Sequence, residues 1–248
     1  MSQPSGNRYA VLLCAEDSEY VKKKYGGYFG VFVKYLSEEG DSWDVYHVAT
    51  GELPTEEEIK MYDGFVITGS CNDAHGDDPW ICRLMEFLQR LDSLKKKVLG
   101  ICFGHQVLCR ALGGKVGRAK LGWDIGVTNI NLSPSSTKLF SSLQIPTVLS
   151  VIECHRDEVL EAPPEAEILA WSGQTGIEIC KYREHMMGIQ GHPEYTKDIL
   201  LSIIERLLQR NFIVESYADE VRANVEKLEP DREEWKKLCT NFLKGKLW

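Results

Sequence analysis

This sequence lacks the long apolar runs of membrane proteins and secretory precursors. Its first apolar run spans only the five residues from Ala10 to Cys14, and acidic residues follow from Glu16. A membrane-spanning helix needs about 20 apolar residues, and the core of a signal peptide needs at least about seven. No later run is long enough either, so we expect no membrane association and a cytosolic protein.

The sequence also lacks paired cysteines and an excess of positive charge. Its cysteines, at positions 14, 71, 82, 102, 109, 154, 180 and 239, form no CxxC pair, and such pairs typify zinc sites. The net charge of -8 argues against a nucleic-acid or anionic-membrane surface. We therefore expect reduced thiols, no metal, no nucleic-acid partner, and a small-molecule or peptide substrate.

The first half of the chain alternates short apolar runs with longer amphipathic segments, four times in succession. This alternation predicts a parallel, doubly wound sheet. After about Gly122 the apolar runs are short and separated by Pro, Ser and Gly, which predicts antiparallel or mixed strands. The expected fold is therefore α/β, with a doubly wound, largely parallel central sheet flanked by helices and a small antiparallel or mixed sheet in the second half. The strands are predicted at 9–14, 43–49, 64–69, 98–101, 125–132, 147–152, 167–171, 176–179 and 186–190, and the principal helices at 31–36, 80–94, 103–112 and 198–209.

The 248 residues suffice for one large domain or two small ones. No repeat, low-complexity linker or Pro-rich hinge divides them. We therefore expect a single domain over residues 1–248, with a core at about 9–208 and a helical extension at about 214–248.

Cys102 lies between two glycines where a strand pattern changes to a helix pattern, in Gly100-Ile-Cys-Phe-Gly104. Small residues two positions before and after a nucleophile permit a tight strand-to-helix turn. The helix N-terminus is expected to favour the thiolate, with the Phe103 N–H directed at an incoming oxyanion. The alternative is that Cys102 is one more buried cysteine, as Cys109 inside the helix is expected to be.

A thiol nucleophile needs a base, and His192 in Gly191-His-Pro-Glu194 is the best candidate among the histidines. Pro193 favours an extended conformation for His192, and residues two apart in an extended segment face the same way. Glu194 can therefore orient the imidazole ring. Cys102, His192 and Glu194 form a candidate catalytic triad, although a loop residue before the next helix is the alternative for His192.

A rival pair is Cys154-His155, which is followed by Asp157. Adjacent side chains of a strand point to opposite faces, which disfavours direct thiol–imidazole contact. His155 and Asp157 are nevertheless candidates to line the site. The strand end at Gly69-Ser70 offers backbone N–H groups for an oxyanion, and a plain turn glycine is an equally good interpretation of Gly69.

These motifs resemble those of the class I glutamine amidotransferases, over about residues 9–208 and in the family's order. The resemblance rests on the Cys102 turn, the Gly-His-Pro-Glu194 motif, Thr68-Gly-Ser70 and Cys154-His-Arg-Asp157. It implies the triad above, an oxyanion hole at Phe103 and Gly69 or Ser70, and a glutamyl contact at Gln106. The loop that includes Trp123 and Asp124 falls where the family cups the substrate, although its residues, like Ser70, depart from the usual pattern.

Over its full length the chain is similar to plant γ-glutamyl peptidases, through segments such as YGGY at 25–28 and the tail NFLKGKLW. This resemblance implies cytosolic hydrolysis of the γ-glutamyl bond of glutathione conjugates, hence a place in glutathione metabolism and glucosinolate biosynthesis. It implies no metal, no organic cofactor and no obligatory protein partner.

Two other functions remain compatible with the sequence. One is a glutaminase component that passes ammonia to a separate synthase subunit, since the chain contains no GxxxxGK[ST] nucleotide loop of its own. The other is a non-catalytic binding protein on the same fold.

Overall fold

The computed structural model describes residues 6–247, which form eleven strands and nine α-helices. The strands are β1 (Arg8–Leu13), β2 (Ser42–His47), β3 (Gly64–Ile67), β4 (Lys97–Ile101), β5 (Lys115–Arg118), β6 (Asp124–Leu132), β7 (Val148–His155), β8 (Asp157–Glu161), β9 (Ala166–Trp171), β10 (Ile179–Tyr182) and β11 (Met186–Ile189). The helices are α1 (Glu19–Tyr25), α2 (Gly27–Leu36), α3 (Glu56–Met61), α4 (Pro79–Ser93), α5 (Phe103–Ala111), α6 (Pro134–Leu139), α7 (Lys197–Gln209), α8 (Glu215–Lys227) and α9 (Arg232–Leu243).

Nine strands form one sheet in the order β2-β1-β3-β4-β11-β10-β9-β6-β7. The first five are parallel neighbours, and the remaining pairs are antiparallel. The predicted α/β fold with parallel strands and flanking helices is confirmed. The antiparallel strands extend the same sheet, while β5 and β8 form a separate antiparallel pair.

Most predicted elements occur within a few residues of their expected bounds. The predicted strand at 176–179 is displaced to Ile179–Tyr182, because the Ser172 N–H bonds the Thr175 carbonyl in a turn just before it. Helix α1 was not predicted. It buries only Val21, so its sequence has no apolar stripe that would indicate a helix. The Ser18 side chain caps its N-terminus by accepting a hydrogen bond from the Val21 N–H.

Helix α9 packs against the sheet rather than apart from it. Trp235 is fully buried, and its indole N–H donates to the Ser150 carbonyl at 3.0 Å. Leu238 and Phe242 lie in the same apolar cluster as Leu99 of β4 and Val151 of β7. The C-terminal segment thus contributes to the core, and the single-domain organisation stays a prediction.

Candidate active site

Three strand ends meet at one edge of the sheet. β3, β4 and β11 are adjacent and parallel, with Ile67 opposite Gly100 and Ile189 opposite Ile101. The carboxyl ends of adjacent parallel strands open onto a common crevice, which is where α/β proteins commonly bind ligands. The residues that follow these strands include Gly69, Cys102 and His192, so segments far apart in sequence converge here.

Cys102 sits on a strained turn between β4 and α5. Its φ of 53° and ψ of -106° lie outside the regions that residues with a side chain ordinarily adopt. Its N–H donates to the Ile189 carbonyl at 2.8 Å, which ties the turn to β11. Such strain is typical of a nucleophile projected above a sheet.

The two glycines of this turn are sterically required. A Cβ on Gly100 would lie 2.4 Å from the Gly104 carbonyl oxygen, and a Cβ on Gly104 would lie 2.5 Å from the Ile67 carbonyl oxygen. Both distances are well inside van der Waals contact. The sequence-based explanation for the Gly-x-Cys-x-Gly pattern therefore fits the geometry.

His192 and Glu194 form a buried pair. His192 Nδ1 lies 2.8 Å from Glu194 Oε1, and the two residues are 3% and 2% exposed. Since a carboxylate accepts hydrogen bonds, Nδ1 carries the proton and Nε2 is left to exchange protons with a reactant. The Tyr195 ring stacks on the imidazole at a centroid distance of 4.0 Å, which further restricts its orientation.

Gly69 lies against both His192 and Cys102. A Cβ on Gly69 would be 2.8 Å from His192 Cε1 and 3.8 Å from Cys102 Cβ. The missing side chain therefore provides the space in which the imidazole approaches the cysteine. All three members of the candidate triad lie at this point of the fold.

The Cys102 thiol is less acidic than its position at the N-terminus of α5 predicts. Burial raises the pKa of Cys102 well above its usual value, and the ionisable side chains of Cys154, Glu153 and Glu194 act in the same direction. The Phe103 N–H acts in the opposite direction. The expectation of a low pKa is thus wrong for the substrate-free protein, because burial outweighs the helix terminus. A nucleophilic role for this thiol therefore requires a base that takes its proton during attack.

The oxyanion donors predicted from sequence lie beside the thiol. Phe103 follows Cys102 directly and is the first residue of α5, so its N–H has no partner within the helix. The Ser70 hydroxyl donates to the Cys14 carbonyl at 2.7 Å, so its side chain anchors the loop. The backbone N–H groups of Gly69 and Ser70 are the parts that remain candidates for an oxyanion, and their role stays a prediction.

The other predicted substrate contacts border this centre. Gln106 is buried, and its amide nitrogen donates to the Asp157 carbonyl at 2.8 Å and to Gln190 Oε1 at 3.0 Å. His155 Nδ1 donates to the same Asp157 carbonyl at 2.9 Å. Asp124 pairs with His155 across β6 and β7. A direct substrate contact by Gln106, Trp123, Asp124, His155 or Asp157 stays a prediction.

Two buried glutamates beside the site were not found from sequence. Glu153 and Glu178 are fully buried, and burial raises the pKa of both well above the usual range. Glu153 Oε2 lies 3.3 Å from His155 Nε2, and Gly191, next to His192, leaves room for Glu153 Oε1. The sequence signal that could have revealed them is a glutamate within an otherwise apolar strand segment, Glu153 in VIECH and Glu178 in GIEIC.

One group of side chains has the composition of a metal site. Ligand atoms of Asp73, His75 and Asp157 lie within 4.8 Å of one another. Arg118 makes ion pairs with both carboxylates, at 3.0 Å to Asp73 and 2.5 Å to Asp157. The guanidinium already supplies the positive charge that the two acids require, so the group is best described as an ion-pair network.

The rival nucleophile Cys154 has different surroundings. Its side chain packs with the apolar cluster of Ile152, Tyr195 and Ile199, whereas His155 turns toward Glu153 and Asp124. The alternation expected for a strand is therefore present, and the two side chains do not act as a pair.

The family follows from a match to the model of class I glutamine amidotransferases over residues 22–206. The chain belongs to this family. It is 51% identical to γ-glutamyl peptidase 5 and 48% identical to γ-glutamyl peptidase 3 of Arabidopsis thaliana; the first alignment covers 96% of both chains, and the second covers 96% of this chain and 97% of the relative. A glutamine amidotransferase from Thermotoga maritima has the same fold, with a TM-score of 0.73 and 22% identity over 96% of this chain and 98% of its own. Among residues 6–247, no helix has the length and apolar character needed to cross a membrane.

Proposed function

We propose that this protein is a thiol-dependent γ-glutamyl peptidase that hydrolyses the γ-glutamyl amide bond of glutathione conjugates. The products are glutamate and a Cys-Gly conjugate. The observation that carries the proposal is the convergence of Cys102 with the His192–Glu194 pair around Gly69. The near-full-length similarity to γ-glutamyl peptidases supports the bond that is cleaved.

The first half of the reaction forms a thioester. The Cys102 thiol gives its proton to His192 Nε2 as the sulfur attacks the γ-carbonyl carbon. Backbone N–H groups of Phe103 and of Gly69 or Ser70 hold the oxyanion, and one such donor typically contributes about 10²–10³-fold in rate. His192 then passes the proton to the leaving amine, the C–N bond breaks, and the γ-glutamyl thioester remains.

The second half consumes water. His192 Nε2 accepts a proton from a water molecule as its oxygen attacks the thioester carbonyl. The C–S bond breaks, the proton returns to the sulfur, and glutamate leaves. Glu194 keeps the imidazole oriented and stabilises its charged form, and general acid–base catalysis of this kind typically contributes about 10²–10⁴-fold.

A parallel assay of glutamate release tests the proposal. Purified full-length protein receives glutathione, a glutathione S-conjugate or free glutamine, with the Cys102→Ala protein as the blank. Cys109→Ala is the matched control, because Cys109 is a buried cysteine of α5. We expect the fastest Cys102-dependent release from the conjugate, with the Cys-Gly conjugate as co-product. Preference for glutamine with ammonia release would favour a glutaminase component instead, and no release from any substrate would favour a binding protein.

Three further points belong to this proposal and stay predictions. They are the cytosolic location, the roles in glutathione metabolism and glucosinolate biosynthesis, and independence from metal, organic cofactor and obligatory protein partner.

A further inference from the structure

Arg156 is a cation without a carboxylate partner at the end of β7. Among residues 6–247 its guanidinium makes no ion pair within 4.0 Å, and its Nε is buried without a hydrogen-bond partner. The neighbouring Asp157 is paired with Arg118 and His75. A buried polar group without a partner is costly, so the guanidinium is poised for a ligand.

Two aromatic rings hold the guanidinium. Its central carbon lies 5.4 Å from the Trp123 ring centroid and 5.9 Å from that of Phe212. A guanidinium that interacts with aromatic rings through its face keeps its N–H edge available for hydrogen bonds. That edge matches a carboxylate, to which arginine can donate two parallel hydrogen bonds.

Hydrogen bonds hold the Trp123 segment in place beside Phe212. The Trp123 indole N–H donates to the Phe212 carbonyl at 3.2 Å, and the Tyr217 hydroxyl donates to the Trp123 carbonyl at 3.0 Å. The loop before β6, the α7–α8 connection and α8 therefore form one support around Arg156. A receptor ordered before its ligand arrives loses less entropy on binding.

Strand β7, which Arg156 follows, also contacts the loop that contains His192. The Ile152 carbonyl of β7 accepts the His192 N–H at 2.7 Å, and Arg156 follows four positions later. The Asp157 carbonyl, next to Arg156 in the chain, accepts from the Gln106 side-chain amide at 2.8 Å, and the Gln106 backbone N–H donates to the Cys102 carbonyl at 3.0 Å. Arg156 is therefore one residue away from a group that contacts the first turn of α5, which begins directly after Cys102.

We propose that Arg156, which lies over the Trp123 and Phe212 rings, binds a carboxylate of the γ-glutamyl substrate. This inference rests on the proposed function. A glutathione conjugate has two carboxylates, the α-carboxylate of its glutamyl residue and the terminal carboxylate of its glycine. Both present the same chemistry to the guanidinium.

Steady-state kinetics of Arg156→Gln test the proposal on two substrates, a glutathione S-conjugate and the same conjugate with its glycine carboxylate amidated. We expect KM for the conjugate to rise roughly 10- to 100-fold with little change in kcat, as loss of a charged hydrogen-bonded pair predicts. An effect that persists on the amide assigns the α-carboxylate. An effect that disappears on the amide assigns the glycine carboxylate. Arg156→Lys should restore part of the affinity, because it keeps the charge and loses the planar fork.

Arg90→Gln is the matched control, since Arg90 pairs with Glu56 in a surface contact between α4 and α3, and it should behave like wild type. Calorimetric titration of the conjugate into Cys102→Ala protein, with and without Arg156→Gln, measures binding without turnover. Equal affinity of these two proteins would overturn the inference. An inactive wild-type protein that still binds the conjugate through Arg156 would instead overturn the proposed function alone.

Discussion

Cys102 follows the central strand β4 and Cys154 lies in the edge strand β7 of the same sheet, and each has a histidine nearby, yet their surroundings differ. Cys102 occupies a strained turn framed by glycines and faces His192 across Gly69. Cys154 stays in regular strand, so its side chain enters the apolar cluster under α7 while His155 points the other way. Burial raises the pKa of both thiols. Burial thus shifts the pKa of both thiols in the same direction, and the difference between them that the structure shows is their placement relative to a histidine.

The largest expected effect comes from replacing each of the two cysteines by serine in turn. Cys102→Ser should lower kcat for the conjugate at least about 10⁴-fold, as loss of a covalent nucleophile does. Cys154→Ser should retain most of its activity, because its sulfur has no base. Glutamate release by both purified proteins measures the contrast, and comparable losses in the two would remove the distinction drawn here.

The second effect concerns the base. Glu194→Gln should lower kcat about 10²-fold or more, because the amide no longer stabilises the charged imidazole or fixes its proton on Nδ1. Asp92→Asn is the matched control: His185 Nε2 and Asp92 Oδ1 form another histidine–carboxylate pair, at 2.7 Å, in which the histidine is buried and the aspartate is partly exposed. His185 precedes β11 and His192 follows it, so the control pair lies at the opposite end of this strand from the candidate site. Equal losses of kcat in both variants would argue for a general folding defect.

The third effect tests the glycine frame that Cys154 lacks. Gly104→Ala should lower the free energy of unfolding by about 1–3 kcal/mol, because the new Cβ meets the Ile67 carbonyl. The corresponding fall in Tm is roughly 3–10 °C for a chain of this size. Calorimetry of this variant beside Gly173→Ala, where a Cβ meets no atom within 4 Å, isolates the clash. An unchanged Tm for Gly104→Ala would show that the turn can relax.

The smallest effect tests the acidity common to both thiols. A raised pKa keeps a thiol protonated at neutral pH, so the thiolate fraction grows about tenfold per pH unit until the pKa is reached. Alkylation of Cys102 by iodoacetamide in the substrate-free protein should therefore keep rising between pH 7 and 9. Cys154, whose pKa burial raises to about 12, should show the same slope. Peptide mapping by mass spectrometry resolves the two sites, and a plateau for Cys102 below pH 8 would contradict the raised pKa.

Local patterns were informative where a short stretch of chain determines its own shape. The Gly-x-Cys-x-Gly turn and the spacing of His192 and Glu194 are of this kind, and both were predicted correctly. The acidity of Cys102 was not, because the helix terminus is local whereas burial depends on everything packed around the sulfur. Helix α1 was missed for a related reason, since a helix that buries one side chain leaves little periodicity.

The sequence by itself determined the α/β alternation, the strained cysteine turn and the pairing of an imidazole with a carboxylate two residues away. These depend on backbone sterics and on residues close together in the chain. Only the tertiary structure decided that Glu153 and Glu178 are buried beside the site, that the antiparallel strands extend the parallel sheet, and that Arg156 lies over the Trp123 and Phe212 rings. Those contacts join residues tens of positions apart, and local sequence patterns carry no information about which distant side chains meet.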